Sequence, residues 1–294
     1  MATKGKSTKK KPSVLHFILL ILLVIGGAQG MKHYPELKGV TESVKTIAEQ
    51  TASNLPSKNT VAATTDYYKG LEIPRALKNK NEILLHRTAY KASYNAFYKT
   101  PNWVAWELTE QETYGNNKRT NKFVPDPDLP EPKVTTQDYV RSGYDRGHMA
   151  PAADMKWNKK AMEESFYMSN ICPQNPKLNK DDWADLEEKC RTWAKKYKKV
   201  YIACGPVYTT ASPKRIGTHK VAVPDLFYKA ILVNDGKQTL CMGFLFPNKT
   251  GRQKLEKYMV TVDSLEKLTG YDFFSKLPDS IENKAEAIIP HLPQ

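Results

Sequence analysis

Apolar and polar residues follow recognisable patterns along the chain from about Tyr67 onward. Runs rich in aromatic and β-branched residues predict strands over residues 82–86, 103–108, 199–204, 220–223, 226–233 and 239–246. Apolar residues at helical spacing predict helices over residues 159–165, 180–197, 251–258 and 262–269. Because strands and helices interleave without a steady βαβ rhythm, the pattern favours an α+β fold over a doubly wound sheet.

The first thirty residues have a different pattern. A cluster of five lysines within residues 1–12 precedes a twelve-residue apolar run over residues 14–25, broken only by His16, and the small residues Ala28 and Gly30. This order is typical of a secretory signal peptide, although an uncleaved membrane anchor is also compatible with it. We therefore expect residues 1–30 to be a signal peptide or membrane anchor. The rest of the chain is expected to be exported from a bacterial cell, as a periplasmic, secreted or membrane-anchored protein.

Composition then changes twice along the chain. Residues 31–64 are rich in Thr, Ser, Ala and Lys with few aromatics, which predicts a linker or stalk. Aromatic residues become dense after it, so one globular domain is expected over residues 65–294, long enough to bury a large core. The Pro-rich, polar segment 114–136 is a long loop, and loops of that length are usually functional or disordered.

The formal net charge of +14 bears on the choice of partner. Five of these positive charges lie in residues 1–12, and the remainder of the chain still carries +9. Such an excess favours a polyanionic partner through attraction to phosphates and release of their counterions. The alternative is a basic but otherwise ordinary surface.

The cysteines leave two interpretations open. Four are present, at Cys172, Cys190, Cys204 and Cys241, which is too few for a disulfide-held scaffold. No C-x-x-C pair occurs, so a structural zinc site has little support. In an exported protein the four could form up to two disulfides, or they could be buried free thiols.

Candidate chemistry begins at the segment Asp145–His148. Arg146 and His148 are two positions apart, so in an extended strand both side chains point to one face. A neutral imidazole can accept a proton from water near neutral pH. A guanidinium can donate hydrogen bonds to phosphate oxygens and stabilise the negative charge that develops on them. A lone histidine is more often structural, but this pair is suited to attack on a phosphate.

A second segment supplies an amide and a carboxylate. Asn179 precedes the long predicted helix, where its side chain would either cap the helix or give an oxygen ligand to Mg²⁺. Glu187 lies eight residues later, and because helical side chains lean towards the amino terminus it could reach metal-bound water. The alternative for Glu187 is a surface ion pair with Arg191 at i+4, which would contribute little.

Three motifs occur in a fixed order: Asp-Arg-Gly-His ending at His148, Ser-Asn-x-x-Pro-Gln beginning at Ser169, and the Asn179-x7-Glu187 pair. Together they resemble the DNA/RNA non-specific endonuclease family, which includes secreted bacterial nucleases and mitochondrial endonuclease G. The resemblance extends over roughly residues 71–247, including segments 103–108 and 204–208. It implies the ββα-metal (His-Me finger) fold, with a central antiparallel or mixed sheet flanked by helices.

The resemblance also implies roles for individual residues. His148 matches the general base that activates water, and Asn179 matches the direct protein ligand of the catalytic Mg²⁺, for which Mn²⁺ could substitute. Glu187 matches the acid that holds metal-bound water. Arg146 matches an arginine near the scissile phosphate, Asn170 an asparagine that supports the site, and Arg119 a further phosphate-contacting arginine. Arg191 is also predicted to bind substrate.

The implied activity is metal-dependent hydrolysis of DNA and RNA that leaves 5′-phosphates, with little sequence preference because contacts go to phosphate and sugar. The resemblance further implies a homodimer, and the uncharged apolar segment itself makes membrane attachment through residues 13–30 an alternative to cleavage. One alternative is a non-catalytic exported protein that binds or takes up nucleic acid, which would not need His148, Asn179 and Glu187 together. Another is a hydrolase of a different phosphodiester, such as a nucleotide or lipid headgroup.

Overall fold

The computed structural model describes residues 70–234, 238–249 and 251–293. The predicted signal peptide or anchor and the linker therefore lie outside the described residues and stay predictions. Within the described ranges, none of the helices has the length and hydropathy needed to cross a bilayer.

The described residues form thirteen strands and five α-helices joined by turns and short 3-10 segments. The strands are β1 Arg75–Ala76, β2 Ile83–His86, β3 Lys91–Asn95, β4 Thr100–Thr109, β5 Asp145–His148, β6 Ile171–Gln174, β7 Lys199–Val207, β8 Arg215–Ile216, β9 Val221–Ala222, β10 Leu226–Asn234, β11 Thr239–Pro247, β12 Met259–Val260 and β13 Tyr271–Asp272. The helices are α1 Lys159–Glu164, α2 Pro176–Lys180, α3 Asp182–Tyr197, α4 Val262–Thr269 and α5 Asp279–Ala285.

A seven-stranded antiparallel sheet is the centre of the fold, in the order β12–β11–β10–β7–β4–β3–β2. Its middle strands β7 and β10 are buried along nearly their whole length. This explains why their sequences are almost continuously apolar, since a strand covered on both faces needs no polar alternation. The predicted α+β class and central sheet with flanking helices are confirmed.

Helices cover both faces of this sheet. Trp183 of α3 contacts Phe227 and Phe246, with ring centroids 5.7 Å apart in each pair. The next residue along β10, Tyr228, points to the other face and contacts Phe273, at 5.4 Å between centroids. Because successive strand residues alternate between faces, α3 and the segment around α4 and β13 lie on opposite sides.

The sequence located most elements but misjudged some boundaries. The structure contains the predicted helix over 262–269 and the predicted strands over 82–86, 103–108, 199–204, 226–233 and 239–246. The strand at 82–86 is one residue shorter than predicted, and the other four strands are one to four residues longer. The helix predicted over 180–197 is interrupted at Asp181, whose φ of −105° and ψ of −102° are not helical. Only a 3-10 turn, Leu255–Tyr258, occupies 251–258.

A separate two-stranded ribbon of β5 and β6 precedes α2 and α3. The ribbon pairs Gly147 with Cys172, and a Cβ at Gly147 would overlap the buried side chain of Gln174. A glycine is therefore required at the centre of the Asp-Arg-Gly-His segment by close packing. This ribbon followed by a helix is the element that carries the candidate site.

The four cysteines are free and buried, which decides between the two interpretations left open by the sequence. Cys204 donates a weak hydrogen bond to the carbonyl of Met149 at 3.4 Å. Burial raises the pKa of Cys190 and of Cys204 to about 12. These thiols therefore behave as small apolar core groups rather than as nucleophiles.

Candidate active site

His148 ends strand β5 inside an aromatic enclosure. Its side chain is 7% exposed, and its ring lies 5.3 Å from the Phe123 ring and 4.9 Å from the Phe166 ring, between centroids. The Nε2 atom is buried without a hydrogen-bond partner. Burial, followed by the charges of Arg119 and Arg146, lowers the pKa of His148 to about 3. The imidazole is therefore neutral at physiological pH and has a free nitrogen.

Two arginines lie on the same aromatic rings. The Arg146 guanidinium lies 4.5 Å from the centroid of Phe123, so Arg146 and His148 share one face of β5, as the strand alternation predicts. The Arg119 guanidinium lies 5.1 Å from the centroid of Phe166, and Arg119 Nε donates to Asn121 Oδ1 at 2.7 Å. The fold thus brings Arg119 from the long loop to the vicinity of His148. A concentration of positive charge beside a neutral base is suited to an anionic substrate.

Asn179 lies within the short helix α2 and faces strand β5. Its Nδ2 donates to Asp145 Oδ2 at 3.1 Å, which leaves Oδ1 as the available oxygen. The helix-cap alternative is wrong, because Asn175 caps α2 and Asp181 precedes α3. A cavity of about 240 Å³ opens beside Asn179, and its walls include Asp145 and Arg146.

Glu187 is half-buried on helix α3. Burial, with a smaller contribution from Asp154, raises the pKa of Glu187 to about 7, although Lys229, Arg191 and a hydrogen bond with Trp183 act in the opposite direction. A nearby cation would favour the ionised form of this carboxyl group.

The ion pair suggested for Glu187 and Arg191 is not formed. Arg191 Nη1 instead donates to Asp154 Oδ1 at 3.0 Å, and Trp106 Nε1 donates to Asp154 Oδ2 at 3.1 Å. The Arg191 side chain is only 24% exposed. The Arg191 guanidinium thus neutralises a buried carboxylate, and contact between Arg191 and substrate stays a prediction.

Lys229 is a buried cation that the sequence analysis missed. It lies on β10, is fully buried, and its Nζ is 4.1 Å from the Trp183 ring centroid without a hydrogen-bond partner. Its charge acts on both Glu187 and Asp154. The sequence did hold a signal, because Lys229 is the one charged residue in the apolar run 226–233.

Phe123 and Phe166 were also missed. Phe123 lies in the loop 114–136, which the sequence marked only as functional or disordered. The two rings are 5.0 Å apart between centroids, so residues distant along the chain build one platform. Contacts of this kind between separate segments have no local sequence signature.

Asn170 is completely buried and bonds only to the backbone. Its Oδ1 accepts from the amide of Ala150 at 2.9 Å, and its Nδ2 donates to the carbonyls of Ala150 at 2.9 Å and Ser165 at 2.8 Å. It therefore fixes the chain that follows His148. Both polar side-chain atoms of Asn170 are engaged with the backbone, which agrees with the supporting role that the resemblance implies for it.

We expect Asn170→Ala to lower the free energy of unfolding by roughly 2–4 kcal/mol, because three hydrogen bonds are lost and buried backbone groups are left unpaired. Urea denaturation followed by circular dichroism measures this change. The exposed Asn81→Ala provides a matched control and should stay within about 0.5 kcal/mol of the wild type. Equal stabilities of the two variants would contradict this role for Asn170.

The residues present fit a hard divalent cation. The Asn179 amide oxygen and the Asp145 carboxylate provide the kind of oxygen donors that Mg²⁺ prefers, and Mg²⁺ needs few protein ligands. A cation would also relieve the cost of ionising the half-buried Glu187. This donor set is poor in nitrogen and sulfur, which are the usual ligands of zinc.

The model of the DNA/RNA non-specific endonuclease family matches residues 70–280. The chain belongs to this family. Its fold agrees, because a chain in the crystal structure of the EndoG/EndoGI complex superposes with a TM-score of 0.64 at 30% identity. That similarity covers 67% of this chain and 88% of the other. The family is one of metal-dependent nucleases, and the resemblance drawn from the three motifs is confirmed.

Individual relatives are nucleases from animals, fungi and bacteria. The mitochondrial nuclease EXOG of Xenopus laevis is 39% identical over 63% of this chain and 56% of its own length. The mitochondrial nuclease of Saccharomyces cerevisiae is 36% identical over 67% of each chain. A nuclease of Nostoc sp. is 35% identical over 70% of this chain and 78% of its own length. The chain spans 56% and 60% of the Xenopus laevis and Danio rerio EXOG proteins, little more than half their length.

The predicted export from a bacterial cell is wrong. Several of the relatives are named as mitochondrial nucleases, from vertebrates and from yeast, beside the one from Nostoc sp.. The prediction depended on a lysine-rich start before an apolar run. That pattern describes charge and hydropathy, and it does not specify the organism or the compartment.

Proposed function

We propose that the chain is a metal-dependent, sequence-non-specific endonuclease that hydrolyses phosphodiester bonds in DNA and RNA and leaves 5′-phosphates. The observation that carries the proposal is the buried, unpartnered Nε2 of the neutral His148, with Arg119 and Arg146 beside it. Family membership supports a nuclease, and the positive charge of the chain suits a polyanion.

His148 acts as the general base in this proposal. Its low pKa keeps the imidazole unprotonated, and the free Nε2 can accept a proton from the attacking water. A phosphate bound at Arg119 and Arg146 would offset the two charges that lower this pKa. Substrate binding would therefore strengthen the base at the moment when it is needed.

Arg146 and Arg119 hold the phosphate. Both guanidinium groups lie on aromatic rings, so their positions are restricted before the substrate arrives. They can donate to non-bridging oxygens and stabilise the charge that builds in the transition state. Contacts to phosphate carry no direct information on sequence, which accounts for cleavage without sequence preference.

Asn179 would hold the Mg²⁺ ion through Oδ1, while Asp145 fixes the orientation of its amide. Glu187 would face the water around the ion from helix α3. When bound, the cation supplies stabilisation of negative charge on the phosphate and on the leaving oxygen. Attack by water needs no 2′-hydroxyl group on the substrate, so DNA and RNA are both suitable.

The direct test incubates the full-length chain with supercoiled plasmid and with single-stranded RNA, in Mg²⁺ or in EDTA. Both polymers should be cut in Mg²⁺ and neither in EDTA. DNA ligase should reseal nicked plasmid without prior kinase treatment if the ends are 5′-phosphate and 3′-hydroxyl. A folded protein that binds both polymers but never cuts them would instead support the non-catalytic binding protein.

A further inference from the structure

A second group of acidic residues lies apart from the candidate active site. Asp263 and Glu266 are three positions apart on helix α4, and Glu286 directly follows helix α5. One carboxylate oxygen from each of the three lies within 4.8 Å of the others. These helices pack against strand β11 of the sheet, whereas His148 is on the β5–β6 ribbon.

Glu286 is the unusual member of this group. It is only 3% exposed, and its Oε1 is buried without a hydrogen-bond partner. Its backbone is held in place, because its carbonyl accepts from the amide of Asp263 at 3.3 Å and its amide donates to the carbonyl of Glu282 at 3.0 Å. A buried carboxylate oxygen without a partner needs a proton or a cation to be stable.

The surroundings are acidic as well. Glu282 and Asp272 add to the negative charge that acts on Glu286, and Asp272 is paired with Arg75. Burial, followed by the charges of Glu266 and Glu282, raises the pKa of Glu286 to about 9. Glu266 has one oxygen engaged, since the amide of Phe273 donates to Oε1 at 2.8 Å. Without a cation, Glu286 is therefore protonated near neutral pH, and a bound cation would take the place of that proton.

We propose that Asp263, Glu266 and Glu286 form a Ca²⁺ site that joins helix α5 to helix α4. All the donors are oxygens, and Ca²⁺ accepts carboxylates in irregular arrangements. Two ligands on opposite sides of Ca²⁺ are about 4.8 Å apart, because each Ca–O distance is about 2.4 Å. The three oxygens already lie within this span. Mg²⁺ needs shorter distances and a stricter octahedron, so it fits the group less well.

The test measures the melting temperature of the full-length chain with and without about 1 mM CaCl₂. Asn179→Ala is used as the parent protein in every case, so that the proposed active-site ligand does not contribute. Binding to the folded state alone should raise Tm by about 5 °C when Ca²⁺ is about a hundred times above Kd. Glu286→Gln should lose this shift, and the exposed Glu163→Gln, a matched control, should keep it.

Isothermal titration of the same parent with CaCl₂ provides a second readout, with one ion bound per chain expected. If Glu286→Gln does not fold, Asp263→Asn takes its place in both measurements. Absence of a shift and of binding heat in the parent up to about 10 mM Ca²⁺ would overturn the proposal. An undiminished shift in Glu286→Gln would do the same, and an equal shift with Mg²⁺ would overturn the choice of Ca²⁺.

Discussion

His148→Ala is expected to reduce cleavage of both plasmid DNA and RNA by at least about 10²-fold, and up to about 10⁴-fold, because general-base assistance is lost. Alanine also removes a ring that packs between Phe123 and Phe166, but His148 is not part of the central sheet. The measurement is the initial rate of plasmid nicking at saturating Mg²⁺, together with the rate of RNA hydrolysis.

The exposed His86→Ala is the matched control, and it should keep the wild-type rates. Retained DNA affinity and an unchanged circular dichroism spectrum would separate lost chemistry from lost folding. Because Arg119 and Arg146 remain, affinity at low salt should change by less than about tenfold. Cleavage by His148→Ala at the wild-type rate would show that the base has been placed wrongly.

Asn179→Ala is expected to lower the cleavage rate by at least about 10²-fold and to raise the Mg²⁺ concentration needed for half-maximal activity. The reason is the loss of the one amide oxygen that α2 presents beside the cavity. Initial rates are measured over a range of MgCl₂ and MnCl₂ concentrations. Substitutions around a metal ligand typically change metal affinity by about 10–100-fold.

Asn81→Ala again provides a control for asparagine loss at an exposed position. Asn179→Asp is informative in addition, because it keeps an oxygen at the same place but sets a second carboxylate beside Asp145. We expect it to bind cations yet to cleave less well than the wild type. An unchanged Mg²⁺ dependence in Asn179→Ala would exclude Asn179 as the ligand.

Sequence patterns were sufficient to predict those parts of the site whose geometry is determined within a single strand or helix. Strand alternation places Arg146 and His148 on one face, and the Phe123 contacts agree with that. Continuous apolar runs predicted strands β7, β10 and β11 correctly, because these strands are buried on both faces of the sheet. The residue types of the motifs then supplied the chemistry, because few side chains other than histidine titrate near neutral pH.

Long-range packing limited the rest of the prediction. Arg191 was paired with Glu187 because four residues in a helix bring side chains together, but Asp154 from another segment competes successfully for its guanidinium. The Phe123–Phe166 platform and the position of Lys229 near Glu187 and Asp154 depend on contacts between segments that are far apart along the chain. The spacing of residues within one helix or strand cannot predict contacts with residues from another segment.

The interruption at Asp181 changes what the spacing of Asn179 and Glu187 means. In one continuous helix, eight residues would fix their separation at about 12 Å along a common axis. Here Asn179 and Glu187 lie on two separate helices, each with its own contacts. Asn179 on α2 donates to Asp145 at the start of β5. At the start of α3, Tyr258 from the 3-10 turn before β12 donates to Asp182 Oδ2 at 2.9 Å. The positions of the amide and the carboxylate therefore depend on the packing of two helices and not on one helical spacing. Residues that contact neither side chain, such as Tyr258, thereby contribute to the geometry of the site.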